Sequence, residues 1–342
     1  MRLAHVREQH AVAGTPFRLA AALDGALDGA PATWLDLEPA RRRRAADDPA
    51  LAHNHALFRE PISTLDAHLA AGRRVADLAD VLAPFQAVPP APDDELALES
   101  DDLTFGPPVL RPPSFRDFYA FETHVRAMWE RRHDTIPEAW YRLAIFYFSN
   151  VSEVRGPGQP VWAPRGSTEL DYELEIGALI DTPAMNLSPD QAEGVIGGYF
   201  VLNDWSARDL QRDESTVRLG PAKGKDFAVS LGPWLVTQDE LADARKAKGY
   251  DPTGTAAVNG RECSRGSWAA IHHSFGEMLA RASADVHLRP GDIVGSGTIG
   301  GGSLLEVREA TLGRFLEPGD VVTVEIERLG RLTSPVVARP AA

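Results

Sequence analysis

An unbroken alternation of acidic and apolar residues runs from Glu169 to Ile176. In an extended strand successive side chains point to opposite faces, so the two kinds of residue separate. The acidic face would hold Glu169, Asp171, Glu173 and Glu175, and the apolar face Leu170, Tyr172, Leu174 and Ile176. Like charges about 7 Å apart along one face repel each other unless a positive group lies among them. The strand is therefore either the solvated face of a sheet or a site for a hard divalent cation such as Mg²⁺ or Ca²⁺.

The spacing of apolar residues predicts a helix over residues 64–81. Ser114 and Asp117 have the spacing of a capping box, which predicts a second helix that ends near Arg132. On this helix Asp117 and His124 would lie two turns apart on one side, among large apolar residues. Half-buried polar groups need partners, and two satisfied core side chains would explain the pair by themselves.

From residue 140 onward the pattern is mostly that of strands. Residues 198–203 predict a buried strand that ends at Asp204, and Ser206 with Asp209 has the spacing of another capping box. Asp204 is thus expected at a strand end just before a helix, a common place for functional carboxylates. Two Pro-Gly-Asp turns, at Pro290 and Pro318, each precede apolar residues and favour an antiparallel β architecture.

Two glycine-rich segments resemble phosphate-binding loops but lack their context. Residues 219–226 have one residue too few between the glycines, and Asp226 replaces the Ser or Thr of a P-loop. Residues 295–300 match the dinucleotide fingerprint, yet more glycine and a short apolar run follow instead of an amphipathic helix. Both nucleotide interpretations are rejected. The glycines of the second segment would instead allow a close approach of the backbone, and Lys225 is either a contact for an anionic substrate or a surface charge.

Composition indicates a globular protein with a sizeable core, since 44% of the 342 residues are hydrophobic. The formal net charge of −14 disfavours nucleic acid and anionic membranes as partners. Cys263 is the only cysteine, which excludes disulfide scaffolds and cysteine zinc sites. The chain opens with charged residues and has no apolar run near 20 residues, so we expect a cytoplasmic location and no membrane partner.

Five segments together resemble the fumarylacetoacetate hydrolase (FAH) family and follow its order along the chain. They are Asp117-Phe118-Tyr119 with His124 downstream, residues 170–175, residues 202–211, residues 224–227, and residues 295–299 followed by Leu305-Glu306. The Asn-Asp-Trp-Ser-Ala-Arg-Asp run within residues 202–211 is specific, and a chance match to all five segments is improbable. The resemblance covers about residues 114–327.

The resemblance implies a mixed α+β fold that is mainly β. It implies a small N-terminal domain over residues 1–105, which ends in a Pro-rich linker, and an FAH-type β-sandwich roll over residues 106–342. The prolines and aspartates of residues 84–113 agree with a linker or an extended edge segment at this boundary. The resemblance also implies a homodimer.

A role is implied for each matching residue. Mg²⁺ or Ca²⁺ would be held by Asp117, Glu173, Glu175 and Asp204, and substrate oxygens would be bound by Tyr147, Gln211, Thr298 and Lys225. His124 would be the general base for a water molecule and would be oriented by Glu306. Lys225 would also be catalytic, as a second positive group near the metal. Glu169 and Asp171 share the acidic face, and we expect them to be solvated residues or neighbours of the metal ligands.

These roles imply a metal-dependent hydrolase that cleaves a C–C bond in a 1,3-diketo acid, acylpyruvate- or fumarylacetoacetate-like. A metal on both oxygens of such a substrate acts as a Lewis acid, and histidine suits the activation of water. The alternative is a decarboxylase or keto–enol isomerase of a small oxo acid with the same metal site, although the presence of both His124 and Glu306 favours hydrolysis. A binding protein without turnover would predict a missing ligand or base, and none is missing.

Two departures from the family pattern concern the substrate. The family's fumarylacetoacetate cleavers carry an arginine where this chain has His133, preceded by Arg131 and Arg132. A family tyrosine after Gln211 has no clear counterpart, since Ser215 or Thr216 lies there. The predicted metal ligands are all present, and so are His124 and Glu306, which we call the dyad. The two departures therefore leave the identity of the oxo-acid substrate open.

Overall fold

The computed structural model describes residues 1–12, 14–23 and 29–341. Within these ranges the chain forms strands, α-helices and short 3₁₀ turns. The strands are β1 (Arg2–Glu8), β2 (Arg18–Ala22), β3 (Thr33–Asp36), β4 (Ala97–Glu99), β5 (Leu103–Phe105), β6 (Phe115–Phe118), β7 (Phe146–Phe148), β8 (Val154–Arg155), β9 (Leu170–Asp171), β10 (Leu174–Ile180), β11 (Ile196–Asp204), β12 (Ser206–Ala207), β13 (Val229–Val236), β14 (Arg245–Lys246), β15 (Gly249–Tyr250), β16 (Thr253–Val258), β17 (Arg261–Ser267), β18 (Ile293–Gly295), β19 (Val321–Ile326) and β20 (Gly330–Pro335).

The α-helices are interspersed among the strands along the chain. They are α1 (Leu37–Asp47), α2 (Pro49–Asn54), α3 (Leu65–Ala70), α4 (Ala79–Ala87), α5 (Glu122–Glu130), α6 (Glu138–Arg142), α7 (Pro189–Ala192), α8 (Arg208–Val217), α9 (Phe275–Ala282) and α10 (Leu304–Val307). No helix in the described ranges has the length and the apolar character needed to cross a lipid bilayer. The predicted fold class, mixed α and β with sheet predominant, is confirmed.

Among the described residues, twelve strands join in one large sheet. Ten follow the order β4-β3-β2-β1-β13-β11-β10-β18-β6-β7, while β5 pairs with β1 and β8 with β13. A second sheet has the order β17-β16-β19-β20 and is antiparallel. Because β1 hydrogen-bonds to β13, with Leu3 opposite Leu235, the N-terminal strands continue the large sheet. The domain boundary near residue 105 stays a prediction.

The central strands of the large sheet are buried on both faces, and alternation along them decides which residue faces which layer. Ile176 of β10 belongs to the same buried cluster as Val324 of the second sheet. Leu179 of β10 and Leu202 of β11 belong instead to a cluster with Leu69 and other residues of the N-terminal helices. The second sheet and these helices thus cover opposite faces of the large sheet.

The predicted helix from Ser114 to Arg132 is wrong in its first half. Residues 115–118 form β6, and α5 begins only at Glu122, so Asp117 lies on a strand and His124 on a helix. Ser114 does not cap a helix; its Oγ donates a hydrogen bond to Asp292 Oδ1 at 2.7 Å. Capping-box spacing is a local signal, and pairing of β6 with β18 and β7 overrides it.

The predicted capping box of Ser206 and Asp209 is also wrong. Ser206 belongs to β12, and its Oγ donates to the carbonyl oxygen of Asp204. The helix α8 begins at Arg208, while the Asp209 carboxylate accepts from Ser167 Oγ at 2.6 Å. Asp204 nevertheless lies at the end of a buried strand just before a helix, as predicted.

Farther toward the N-terminus, the predicted helix over residues 64–81 is broken into three parts. These are α3, a 3₁₀ turn over Val75–Leu78, and the start of α4. Within residues 84–113, α4 continues to Ala87, and β4 forms an edge of the large sheet. The edge interpretation of this segment is confirmed for β4. The two Pro-Gly-Asp turns precede β18 and β19, as predicted.

Candidate active site

Three buried carboxylates from three strands meet on one face of the large sheet. Asp117 lies on β6, Glu175 on β10 and Asp204 at the end of β11, and one carboxylate oxygen of each lies within 4.8 Å of the others. Glu175 is the cross-strand partner of Leu202, two residues before Asp204, so Glu175 and Asp204 share the face that carries Leu202. These residues are three of the four predicted metal ligands.

Gly295 makes room for this cluster. It lies on β18, between β10 and β6, directly opposite Asp117. A Cβ atom on Gly295 would lie 2.2 Å from Asp117 Oδ1, so only glycine lets that carboxylate reach across β18. Gly297, at φ +75°, donates its N–H to the same oxygen at 3.3 Å. The glycine segment thus serves a close approach to a carboxylate.

The three carboxylates have the electrostatics of a cation site. Burial raises the pKa of Asp117, Glu175 and Asp204, and each is raised further by a neighbouring carboxylate. Glu175 Oε2 and Asp204 Oδ1 are buried without a hydrogen-bond partner among the described residues. Hard divalent cations prefer carboxylate oxygens, and a bound cation would offset the repulsion. The donor set therefore fits a divalent cation.

Glu173 lies beside the cluster, and cationic side chains of the protein engage it. Lys225 Nζ donates to both Glu173 Oε2 and Asp204 Oδ2, and Arg208 Nη2 lies 2.8 Å from Glu173 Oε1. Burial would raise the pKa of Glu173, but Lys225 and Arg208 bring it well below its usual range. Burial would lower the pKa of Lys225, yet Asp204 and Glu173 raise it, so this amine stays protonated. The ligand role of Glu173 stays a prediction.

His124 and Glu306 form a buried pair, as the sequence predicted. His124 Nδ1 lies 2.7 Å from Glu306 Oε2, which also accepts from Ser303 Oγ at 3.0 Å, while Oε1 accepts from the Gly301 N–H at 2.9 Å. Burial would raise the pKa of Glu306, but His124 and these hydrogen bonds lower it. The carboxylate is thus ionised at neutral pH and accepts a hydrogen bond from Nδ1–H. That tautomer leaves Nε2 as a proton acceptor.

These groups line or contact a cavity of about 1150 Å³. The predicted substrate-binding residues Tyr147, Gln211 and Thr298 all line it. Tyr147 Oη donates to Asp204 Oδ2 at 2.5 Å, and Thr298 Oγ1 donates to Glu175 Oε1 at 3.4 Å. Both hydroxyls therefore lie next to the carboxylate cluster. We call the buried residues Asp117, Glu173, Glu175, Asp204 and Lys225 the floor of the site.

The mouth of the cavity is basic and exposed. It consists of Arg131, Arg132, Arg212 and Arg218, which line the cavity and are exposed to solvent. Arg212 pairs with Glu169 at 2.5 Å, and Arg132 lies over the ring of Trp129. Within the part of the chain that the structure describes, Arg131 and Arg218 form no ion pair. Leu219, 92% exposed, adds an apolar side chain at this rim.

Sequence reasoning missed the buried pair of Asp171 and Arg208. Of the two alternatives for Asp171, a solvated residue or a neighbour of the ligands, the first is wrong: Asp171 is fully buried, and Arg208 Nε donates to its Oδ2 at 2.7 Å. Glu169 is partly exposed and pairs with Arg212, in agreement with a solvated position. Arg208 was visible within the specific run of residues 202–211, but only the folded chain identifies its partners.

The chain matches the fumarylacetoacetate (FAA) hydrolase C-terminal family over residues 114–337, more than half of its length. It is 31% identical over 186 residues to a 2,4-didehydro-3-deoxy-L-rhamnonate hydrolase of Sphingomonas sp. (strain SKA58), covering 54% of this chain and 62% of that protein. It is 29% identical over 269 residues to the fumarylacetoacetase of Arabidopsis thaliana, covering 61% and 63%. The chain thus spans a little over three-fifths of the length of these curated relatives.

A solved structure is similar over nearly the whole chain. The fumarylacetoacetate hydrolase from psychrophilic Exiguobacterium antarcticum has a TM-score of 0.69 and 22% identity, with 99% of this chain and 100% of that chain covered. At this identity the similarity concerns the fold alone. The family match over residues 114–337, together with the predicted motifs that the fold brings into one cavity, leads to one conclusion: the chain belongs to the fumarylacetoacetate hydrolase family.

Proposed function

We propose that this protein is a metal-dependent hydrolase that cleaves a C–C bond in a 1,3-diketo acid of the acylpyruvate or fumarylacetoacetate type. The observation that carries the proposal is the His124–Glu306 pair, 2.7 Å apart, whose imidazole lines the same cavity as Asp117 and Glu175 of the carboxylate cluster. A base held by an ionised carboxylate serves a reaction that must activate water. Proton transfer within an enolised oxo acid does not need that water.

The proposed reaction begins with the transfer of a proton from water to His124 Nε2. The water oxygen bonds to the carbonyl carbon, and the adjacent C–C bond breaks. The bonding electrons pass to the departing carbon, which becomes an enolate, and the proton on His124 Nε2 then passes to that enolate and regenerates the neutral imidazole. Water thus adds across one C–C bond and yields a carboxylic acid and an oxo acid, without an oxidant or reductant. Glu306 holds the imidazole in the required tautomer and stabilises its charged form.

The floor would supply the electrophilic part of the site. A divalent cation held by Asp117, Glu175 and Asp204, with Glu173 beside them, would supply Lewis-acid chemistry toward the substrate carbonyl oxygens. Lys225 is buried and protonated, and its amine would favour negative charge on a substrate oxygen as the C–C bond breaks. Tyr147, Thr298 and Gln211 would orient the substrate.

The mouth favours an acid with a further anionic group at its far end. Arg131 and Arg218 are unpaired among the described residues, and they line the same cavity as the floor. Unpaired guanidinium groups bind carboxylates with directional hydrogen bonds. Apolar side chains such as Ile145 and Leu219 line the cavity as well, so the acyl chain between the two ends would be apolar.

Product analysis tests this function. The purified protein, loaded with Mg²⁺ or Mn²⁺, is incubated with acylpyruvates of increasing chain length and with fumarylacetoacetate in water enriched in oxygen-18. Hydrolysis yields two carbon fragments, with one solvent oxygen in the new carboxylate. Release of carbon dioxide would instead identify a decarboxylase, and recovery of all carbons in one product an isomerase; either result would contradict the proposal. His124→Ala is the control for contaminating activity.

A further inference from the structure

Asp171 joins the floor to the dyad through the backbone of α10. Its Oδ1 accepts from the Leu304 N–H at 2.8 Å, and its Oδ2 accepts from the Leu305 N–H at 3.0 Å and from Arg208 Nε at 2.7 Å. Leu304 and Leu305 are the first two residues of α10, and Glu306 is the third. Asp171 therefore binds the backbone of the two residues that immediately precede Glu306, whose carboxylate contacts His124.

Arg208 connects the same ion pair to two further parts of the site. Its Nη2 lies 2.8 Å from Glu173 Oε1, and its Nη1 donates to Gln211 Oε1 at 3.1 Å. The guanidinium is planar, so the contacts to Asp171, Glu173 and Gln211 have a fixed relative geometry. Because the carbonyl oxygen of Gln211 faces Arg208, the amide NH₂ is left to donate to a ligand in the cavity.

We propose that Asp171 and Arg208 are positioning residues that hold the dyad in register with the floor. Asp171 does not line the cavity, whereas Arg208 lines it, and together they reach the helix of Glu306, a floor carboxylate and the amide of Gln211. Both are buried, with relative exposures of 0% and 6%, so loss of one partner leaves the other charge unpaired in the interior. A buried pair that only stabilised the fold would not need contacts to three separate segments of one cavity. The kinetic part of this inference rests on the proposed function.

Asp171→Asn is the central variant. Asparagine keeps the shape, but it has a single acceptor oxygen and turns an NH₂ group toward donors of Arg208 and α10. We expect kcat to fall about 10- to 100-fold, the usual effect of losing a group that orients a site residue, with KM nearly unchanged. Arg208→Lys keeps the positive charge, but a lysine cannot contact Asp171, Glu173 and Gln211 at the same time. This variant should therefore lower kcat, and it should also raise KM because the Gln211 amide is no longer held in place.

Asp320→Asn is the matched control for general loss of stability. Asp320 is also buried, and it accepts from Arg314 at 2.7 and 2.8 Å and from the Glu317 N–H at 2.8 Å, outside the cavity. This substitution also breaks a carboxylate–arginine pair, in which the carboxylate is buried and the Arg314 side chain is 36% exposed. It should lower the melting temperature while kcat stays within about twofold of the wild-type value at a temperature where the variant is folded.

Two measurements need no substrate and separate this inference from the proposed function. In Asp171→Asn and Arg208→Lys, peptides over residues 301–307 should exchange their amide hydrogens faster, and diethyl pyrocarbonate should modify His124 faster. Peptides over β10 and β11 should be unchanged. If the wild type fails to hydrolyse diketo acids but these changes occur, the function is wrong and the positioning role stands. If exchange and labelling match the wild type, or if kcat falls only as it does in Asp320→Asn, the positioning role is overturned.

Discussion

The floor and the mouth of the cavity differ in burial, in charge and in how firmly their side chains are held. Floor residues such as Glu175 and Lys225 are buried, come mainly from strands of the large sheet, and carry opposite charges in contact. Mouth residues such as Arg131 and Arg218 are exposed, lie at or beyond helix ends, and share one sign of charge. The same cavity thus joins a buried region, in which Lys225 pairs with two carboxylates, to a solvated one.

This difference separates the two tasks of the proposed enzyme. Buried groups act in a medium of low polarity, where charges interact strongly and their placement decides reactivity. Exposed arginines interact through screened charges and can accommodate more than one ligand geometry. Changes in the floor should therefore remove the chemistry, and changes in the mouth should alter which substrate is preferred.

The largest effect is expected from loss of a floor carboxylate. Glu175→Gln or Asp117→Asn removes a carboxylate ligand of the cation. Binding of Mn²⁺ or Mg²⁺, measured by calorimetry, should become undetectable, and activity should fall to background. Addition of a chelator to the wild type should abolish activity in the same way. Glu169→Gln, in the same acidic run but paired at the surface, should bind the cation like the wild type. Full cation binding by both floor variants would contradict the assignment of these carboxylates.

The second effect concerns the base. His124→Gln keeps a polar side chain but cannot accept a proton from water, so kcat should fall about 10²- to 10⁴-fold. Cation binding should remain, because His124 is outside the carboxylate cluster. The exposed His53 is a suitable control, and His53→Gln should have wild-type kcat. An unchanged kcat in His124→Gln would remove the dyad from the mechanism.

A smaller effect is expected when the orienting carboxylate loses its charge. Glu306→Gln can still contact His124 but no longer stabilises the charged imidazole, so kcat should fall about 10- to 100-fold with little change in KM. Steady-state kinetics at saturating substrate measure this. A loss equal to that in His124→Gln would mean that the two residues act only as a unit.

The smallest effect is expected at the mouth. Arg131→Gln or Arg218→Gln should lower kcat/KM about fivefold for an acid with a distal carboxylate, because an exposed ion pair contributes about 1 kcal/mol at most. The value for a substrate without that group should not change, and added salt should reduce the difference. Arg59→Gln, at an exposed position elsewhere, is the matched control. An equal decrease in kcat/KM for both substrates would mean that the mouth does not bind the distal carboxylate.

The residues that meet at the cavity could be predicted from the family resemblance because the motifs that carry it are local in the sequence. The acidic alternation placed Glu173 and Glu175 two residues apart on one face, and the run that contains Asp204 and Arg208 was specific. The strand before Asp204 followed from its continuous apolar pattern. Local patterns misled at Asp117, where capping-box spacing predicted a helix and the chain forms a strand.

The sequence by itself determined which residues are available for the chemistry and that the chain belongs with one family. Only the tertiary structure decided that β18 lies between β6 and β10, that Gly295 leaves space for Asp117, and that Arg208 reaches Asp171. Strand order and the partners of buried charges depend on contacts between residues far apart in the chain. Periodicity and spacing act over a few residues, and for that physical reason they do not encode those contacts.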